Sequence, residues 1–332
     1  MAKLDLIVPH YKEDIHLMDP MFGILRLQRN VKWTDFRVLI VCDGEDIEMP
    51  EDFGKDEPFE VEVIHRPHRG IAATRNAGLD YSQAEWIMFC DSDDAFLMTT
   101  SIETFLRYAT DDKAMVASAF LEEAPSKTDD RMMLLWHNGK DYVFVHGKMF
   151  RRQWLKDNNI RFNDEVKLHE DSFFIAMARY HLKEKDIVWI KDMLYLWQYN
   201  PQSVTRKCDN FVLETYDQLI KKNAALTDEL LRRGMYLPAK GIVCRTITDA
   251  YCRLNAKSWN LPGNEEMIRD AEDCVALFLQ RYDYIYKAAG EKVIRVGLES
   301  LYPYMEKNGE YDGRQFMPFD EWVENLRKNQ GG

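Results

Sequence analysis

The 332-residue chain lacks several features that would place it in familiar classes of protein. Its six cysteines include no Cys-x-x-Cys pair, which argues against a zinc site or a disulfide framework and favours reduced core thiols. No apolar run approaches the roughly 18 residues of a membrane span. No signal peptide is recognisable, because the charged residues Lys12, Glu13 and Asp14 follow a short apolar run at residues 4–8. We therefore expect a cytoplasmic protein and leave peripheral association with a membrane open.

Positive charge is also in deficit, because 44 Lys and Arg residues face 56 Asp and Glu residues, for a formal net charge of −12. A general nucleic-acid-binding protein needs a positive surface, so the composition argues against that class while leaving room for a local basic channel. The sequence shows no internal repeat and no low-complexity segment. Its apolar fraction of 46% and charged fraction of 30% are ordinary for a globular protein of one large or two smaller domains.

The most informative stretch covers residues 75–94. Within it, residues 86–90 form an apolar run without alternation, as expected of a strand covered on both faces in a parallel sheet. Asp91, Asp93 and Asp94 follow at once, at the end of the strand where open α/β sheets bind ligands. Two carboxylates about 4 Å apart repel by about 4 kcal/mol at an effective dielectric near 20, and a bound Mg²⁺ or Mn²⁺ would remove that repulsion. The alternative is a plain acidic turn that caps the next helix.

Further apolar runs predict the rest of an α/β domain. The predicted strands cover residues 4–8, 36–42, 59–64, 86–90, 115–120, 142–145, 187–190 and 193–197. The polar stretch at residues 121–141 predicts an irregular loop. From about residue 209 onward, apolar residues recur with a helical period of about 3.6, which indicates an all-helical region.

Residues 74–94 resemble the metal-binding segment of family 2 glycosyltransferases, whose pattern runs Ala-Arg-Asn-x-Gly, a spacer, an apolar strand and Asp-x-Asp-Asp. Arg75, Asn76 and Gly78 match this pattern, as do the three aspartates, whereas Thr74 stands where Ala is usual. The resemblance covers roughly residues 3–207 and implies the GT-A (Rossmann-like) nucleotide-diphospho-sugar transferase fold. It assigns residues 1–207 to a catalytic domain, with a donor-binding half at 1–95 and an acceptor half at 96–207. Residues 208–332 would form a C-terminal all-helical extension.

The same resemblance assigns residues to the nucleotide of a sugar donor. Pro9 and Tyr11 follow the first strand and are expected at the base or ribose, and Asp43 is expected to bond the uracil or ribose. The alternatives are a strand terminator at Pro9 and a turn acid at Asp43. Asp91 and Ser92 complete the expected donor contacts on the acidic loop.

Phosphate and metal ligands are implied in the same way. Asp91, Asp93 and Asp94 would hold Mn²⁺ or Mg²⁺ across the diphosphate of the donor. Arg75 would either help to hold the diphosphate or support the acidic loop. The remaining candidate diphosphate ligands come from a family pattern that closes the catalytic domain, although Gln198 replaces its usual Arg. They are Ser203, Thr205 and Arg206.

Two basic clusters carry open alternatives. Residues 65–70 precede a predicted helix and form either a cationic wall for phosphate or a solvated loop. Residues 146–152 resemble a family segment that borders the acceptor. Arg151 and Arg152 within it would lie on the acceptor side or simply at an exposed helix start.

Glu170 and Asp171 precede an amphipathic helix. The resemblance implies that Asp171, ionised near neutral pH, is the general base of an inverting enzyme and that Glu170 supports the site. The alternative is a pair of acids favoured by the dipole at a helix N-terminus.

The resemblance thus implies a metal-dependent inverting glycosyltransferase with a UDP-sugar as the favoured donor. The acceptor would be a hydroxyl of a glycan, a wall polymer or another molecule, with nucleic acid less favoured because of the acidic charge. A homodimer through the helical region is left open. A nucleotidyltransferase is the first alternative, although residues 9–13 lack the glycines of its phosphate loop. An inactive nucleotide-sugar- or glycan-binding protein is the second, and the intact set of Asp43, Asp91, Asp93 and Asp171 argues against it.

Overall fold

The computed structural model of the protein describes residues 2–126, 129–203, 206, 211–311 and 316–328. The chain divides into two compact units, Met1–Pro201 and Gln202–Gly332. The first unit contains strands and helices, and the second is helical over its described residues.

One mixed sheet forms the framework of the first unit. Its strands in the described residues are β1 (Leu4–His10), β2 (Phe36–Asp43), β3 (Glu60–Arg66), β4 (Trp86–Phe89), β5 (Ala95–Phe96), β6 (Met115–Pro125), β7 (Met132–His137), β8 (Lys148–Arg151) and β9 (Ile187–Trp197). They are ordered β3-β2-β1-β4-β8-β6-β9-β5, with β7 paired to β6. The four strands β3, β2, β1 and β4 run parallel, and β8 then pairs antiparallel to β4. These parallel strands end at one edge of the sheet, where the ligand site is predicted.

Helices pack against this sheet because its central strands are apolar on both faces. Every residue of β1 and β2 is buried. The helices of this unit are α1 (Asp19–Arg26), α2 (Ile71–Tyr81), α3 (Ser101–Tyr108), α4 (Arg152–Asp157) and α5 (Glu170–His181). Helix α2 approaches β1 so closely that a Cβ atom at Gly78 would lie 2.4 Å from Cγ2 of Ile7. The glycine of the Arg-Asn-x-Gly pattern is therefore required by packing.

Three details of the sheet differ from the sequence-based expectations. Residues 121–141 are not an irregular loop, because β6 continues to Pro125 and forms a hairpin with β7. Residues 142–145 are not a strand, and the strand lies instead at β8. The two short strands predicted around residue 191 are one strand, β9, whose register against β6 shifts where Ile190 pairs with Ser118 and Met193 pairs with Ala119. Lys191 and Asp192, the polar residues between Ile190 and Met193, are accommodated as a bulge.

The second unit buries an apolar core between long helices, as its 3.6-residue period predicts. The described helices are α6 (Phe211–Glu214), α7 (Tyr216–Arg232), α8 (Tyr236–Leu254), α9 (Glu265–Lys287), α10 (Glu291–Lys307) and α11 (Phe319–Lys328). Aromatic side chains such as Trp259 and Tyr282 lie in this core, whereas Tyr284 is exposed. Among the described residues, no helix is both long enough and apolar enough to cross a bilayer.

Candidate active site

The acidic segment after β4 is a tight turn. The Asp94 N–H donates to the Asp91 carbonyl at 3.0 Å, which closes a four-residue turn that also buries Ser92. A turn of this kind brings its first and fourth residues together. The Asp91 and Asp94 carboxylates therefore share one site, whereas Asp93 accepts a hydrogen bond from Nδ2 of Asn200 at 2.8 Å.

A histidine completes the cluster. Ligand atoms of Asp91, Asp94 and His146 all lie within 4.8 Å of one another. The antiparallel register of β8 on β4 pairs Met149 with Met88, and extending it by three residues places His146 beside Asp91. The ring of His146 is stacked between Phe144 and Tyr195, at centroid distances of 5.7 and 5.3 Å.

The predicted metal ligands were Asp91, Asp93 and Asp94; the structure brings His146 to Asp91 and Asp94, and the role of Asp93 stays a prediction. Residue order alone did not reveal His146, because the antiparallel pairing of β8 with β4 is not visible in a pattern of apolar residues. Two carboxylates and an imidazole are a donor set that suits a divalent ion such as Mn²⁺. The residues present therefore fit the implied metal.

The charges of the two carboxylates differ. Burial raises the pKa of Asp94 well above its usual range, and the nearby charges of Asp91 and Asp93 act in the same direction. Burial also disfavours the charge on Asp91, but the adjacent Arg75 and His146 together outweigh it and lower the pKa of that carboxyl. Tyr195 donates its hydroxyl proton to Asp94 at 2.5 Å. The neighbouring cation thus keeps Asp91 ionised, whereas Asp94 needs a further cation beside it for full ionisation.

Arg75 connects this cluster to Glu170, the neighbour of the predicted general base Asp171. Its guanidinium is 2% exposed and donates to Asp91 Oδ1 and Glu170 Oε1, both at 2.6 Å. Of the two predicted roles, the geometry favours support of the acidic turn. Asn76 joins α2 to the segment ahead of α5, because its side chain forms hydrogen bonds with the Phe162 backbone and the Asp164 carboxylate.

Asp171 lies in the first turn of α5. The helix follows His169, whose φ of 66° is in the left-handed region that non-glycine residues rarely adopt. Burial, with the neighbouring Glu170 charge, raises the pKa of Asp171 to about 7. A carboxyl with this pKa titrates near neutral pH, and the ionised general base expected at Asp171 stays a prediction. A carboxyl with that pKa is suited to accept a proton near neutrality.

Asp43 organises the basic loop at the ends of β2 and β3. Its carboxylate accepts hydrogen bonds from Nη1 of Arg66 at 2.7 Å and from the backbone N–H groups of Arg69 and Gly70 at 2.9 and 2.8 Å. The carboxylate thus fixes the entry to α2. Its predicted contact with a nucleotide stays a prediction.

The residues predicted to bind the base of the nucleotide, Pro9 and Tyr11, lie at the same edge of the sheet. Tyr11 is stacked on His68, with centroids 4.7 Å apart, and remains 36% exposed. Pro9 does not end the first strand, because it pairs with Val41 inside β1, which continues to His10. The exposed aromatic pair offers a flat surface on which a base could stack.

Arg151 and Arg152 lie at the other end of β4. Arg151 pairs with Trp86 in the sheet and donates to the Lys113 carbonyl at 2.7 Å, and Arg152 donates to the Ala84 carbonyl at 2.7 Å. These contacts are structural and favour the alternative to an acceptor role.

Three predicted phosphate ligands remain untested. Ser203 and Arg206 belong to the second compact unit, where the Arg206 N–H donates to the Ser203 carbonyl at 3.0 Å. Thr205 lies outside the described residues. The role of all three in binding a diphosphate stays a prediction.

Comparison with known proteins decides the family. The family model described as glycosyl transferase family 2 matches residues 5–183, more than half of the chain. The chain belongs to glycosyl transferase family 2. The matched segment contains the acidic turn, His146, Arg75 and Asp171.

Individual relatives are distant. EpsH of Bacillus subtilis strain 168 is 27% identical over 222 residues, which cover 60% of this chain and 63% of EpsH. The poly(ribitol-phosphate) beta-N-acetylglucosaminyltransferase TarS of Staphylococcus aureus strain Mu50 is 24% identical over 213 residues, which cover 59% of this chain and 35% of TarS. The chain therefore spans less than two thirds of the length of these relatives.

A solved structure supports the fold. The crystal structure of S. aureus TarS 1–349 in complex with UDP-GlcNAc matches with a TM-score of 0.63 at 17% identity, covering 96% of this chain and 95% of that one. This likeness confirms the predicted GT-A fold with a helical C-terminal region.

Proposed function

We propose that the protein transfers a sugar from a nucleotide-diphosphate donor to an acceptor hydroxyl, with inversion at the anomeric carbon. The observation that carries this proposal is the buried guanidinium of Arg75, which binds both Asp91 and Glu170. One cation thus joins a cluster suited to a metal to Glu170, the residue directly before the proposed general base Asp171. Family membership favours this reaction over nucleotidyl transfer.

Asp171 is the proposed base. With a pKa of about 7, it is available as a carboxylate at neutral pH and can take the proton of the acceptor hydroxyl. General-base catalysis of this kind contributes about 10²–10⁴-fold. Direct attack by the acceptor oxygen on the anomeric carbon inverts the configuration. Glu170 is proposed to keep Arg75 in place beside Asp171.

Asp91, Asp94 and His146 are proposed to hold a divalent ion, with Asp93 able to join them by leaving Asn200. The imidazole favours Mn²⁺ over Mg²⁺, which prefers oxygen ligands alone. When bound, the ion would neutralise charge on the leaving diphosphate.

The donor is proposed to lie on residues 1–95, with its base near Pro9, Tyr11 and Asp43, and the acceptor on residues 96–207. UDP-GlcNAc is the first donor to test, because TarS is known in complex with it. A wall polymer such as poly(ribitol phosphate) is the first acceptor, by similarity to the substrate in the name of TarS. The helical extension at 208–332 and a homodimer through it remain proposals.

Isothermal titration with UDP, GDP, CDP and ADP, in Mn²⁺ and in EDTA, tests the donor site. We expect one diphosphate to bind in Mn²⁺ and to be lost in EDTA and in Asp91→Asn. Asp112→Asn, on an exposed loop, should bind as wild type does. Failure of every diphosphate to bind would refute the proposed donor site.

Transfer from UDP-GlcNAc, or slow hydrolysis of it, tests the chemistry. We expect Asp171→Asn to bind the diphosphate normally and to lose about 10²–10⁴-fold in rate. The anomeric configuration of the product, read by NMR, tests inversion. Binding without any turnover would favour a nucleotide-sugar-binding protein instead.

A further inference from the structure

A buried lysine beside the cluster takes no part in the chemistry proposed above. Lys148 is 0% exposed and is the first residue of β8. It pairs with Ala117 of β6, and Met149 after it pairs with Met88 of β4. Lys148 therefore lies beside the last residue of β4, just before the acidic turn. Burying an ammonium group costs several kcal/mol unless it is well paired, so an apolar side chain would serve packing better.

The ammonium group organises the loop that presents His146. Its Nζ atom lies 2.8 Å from Asp141 Oδ2 and 3.5 Å from the His146 carbonyl. The other oxygen of Asp141 accepts from the N–H groups of Val143 and Phe144, at 3.0 and 2.8 Å. Lys148 thus fastens both ends of residues 141–146. Because the Phe144 ring stacks on His146, this fastening also sets the orientation of the imidazole.

We propose that Lys148 is a positioning residue that fixes His146 through the Asp141 loop. This inference rests on the proposed function. Residues that hold a metal ligand in place typically contribute about 10–100-fold to metal affinity.

Mn²⁺ titration followed by electron paramagnetic resonance, with no donor present, is the first test. We expect Lys148→Met and Asp141→Asn each to weaken Mn²⁺ binding by about 10–100-fold, and Lys148→Arg to recover part of the loss. The matched control is Lys113→Met, which removes a lysine whose Nζ donates to the Lys185 carbonyl on the surface. It should bind Mn²⁺ as wild type does.

Recovery of Mn²⁺ affinity in Lys148→Arg separates a positioning role from a general structural defect. The guanidinium would restore a cation that can bind the Asp141 carboxylate and the His146 carbonyl.

Wild-type Mn²⁺ affinity in a folded Lys148→Met variant would overturn the inference. Should that variant not fold, wild-type affinity in both Lys148→Arg and Asp141→Asn would overturn it equally. The metal titration needs no turnover, so it tests Lys148 even where the sugar-transfer proposal fails. Wild type that binds no Mn²⁺ would refute the proposed metal site itself.

Discussion

The protonation of Asp171 sets a specific expectation for the rate of sugar transfer. The group must be a carboxylate to take the acceptor proton, and burial with the Glu170 charge raises its pKa to about 7. At pH 6 about one-tenth of the groups are ionised, and at pH 8 about nine-tenths. We therefore expect kcat/KM to rise through about pH 7 and to fall about tenfold for each pH unit well below it.

Arg75 gives this expectation a direction that can be tested. Its positive charge lowers the pKa of Asp171, against the effects of burial and Glu170. Replacing it in Arg75→Met should move the midpoint upward, and each unit of movement corresponds to about 1.4 kcal/mol. The Asp171→Asn variant should be slow and show no inflection at this midpoint.

The assay is donor turnover at saturating Mn²⁺ from about pH 5 to about pH 9, a range that brackets the expected midpoint. Metal saturation has to be verified at each pH, because protonation of metal ligands would otherwise mimic loss of the base. Asp112→Asn is the control for a surface carboxylate. A wild-type inflection near the ordinary pKa of an aspartate, or a downward movement in Arg75→Met, would refute the reasoning.

Three further predictions concern metal binding and stability. His146→Ala should weaken Mn²⁺ binding in a calorimetric titration and leave the circular dichroism spectrum unchanged. Gly78→Ala should lower the free energy of unfolding in urea by about 1–3 kcal/mol, because its Cβ would meet Ile7 at 2.4 Å. Asp5→Asn should lower it by about 3–5 kcal/mol, because Asp5 is fully buried against Arg37 at 2.8 Å. Burial raises the pKa of Asp5, but Arg37, Ser82 and the Ala84 N–H together outweigh it and lower that pKa below its usual value. The difference in stability should therefore be present at neutral pH and vanish as pH falls through the lowered pKa.

Local patterns in the sequence predicted the strands and helices whose burial follows directly from the spacing of their own apolar residues. The apolar runs of β1, β2 and β4 identified a sheet covered on both faces, because burial on both sides leaves no polar alternation. The Arg-Asn-x-Gly pattern identified a site because each residue has a separate structural task. Arg75 binds two carboxylates, Asn76 binds the segment ahead of α5, and Gly78 admits β1.

Contacts between distant segments could not be read in the same way. The apolar residues 132–136 of β7 are exposed, and β7 is a strand because it pairs with β6 at the edge of the sheet. His146 is brought to Asp91 by the antiparallel register of β8, which no local period encodes. The turn brings Asp91 and Asp94 together, whereas the role of Asp93 as a metal ligand stays a prediction.

The ion pairs of Arg75 and Arg66 limit the positive charge that these two residues can offer to a diphosphate. Arg75 is buried and bound to Asp91 and Glu170, and Arg66 is bound to Asp43. Releasing Arg75 to a phosphate would leave the buried Glu170 carboxylate without this partner, at a cost of about 3–5 kcal/mol. The net charge of −12 works against an anionic ligand as well. A divalent ion between Asp91 and Asp94 would supply the missing charge without breaking an existing pair, which is the physical reason to expect that donor binding depends on the metal.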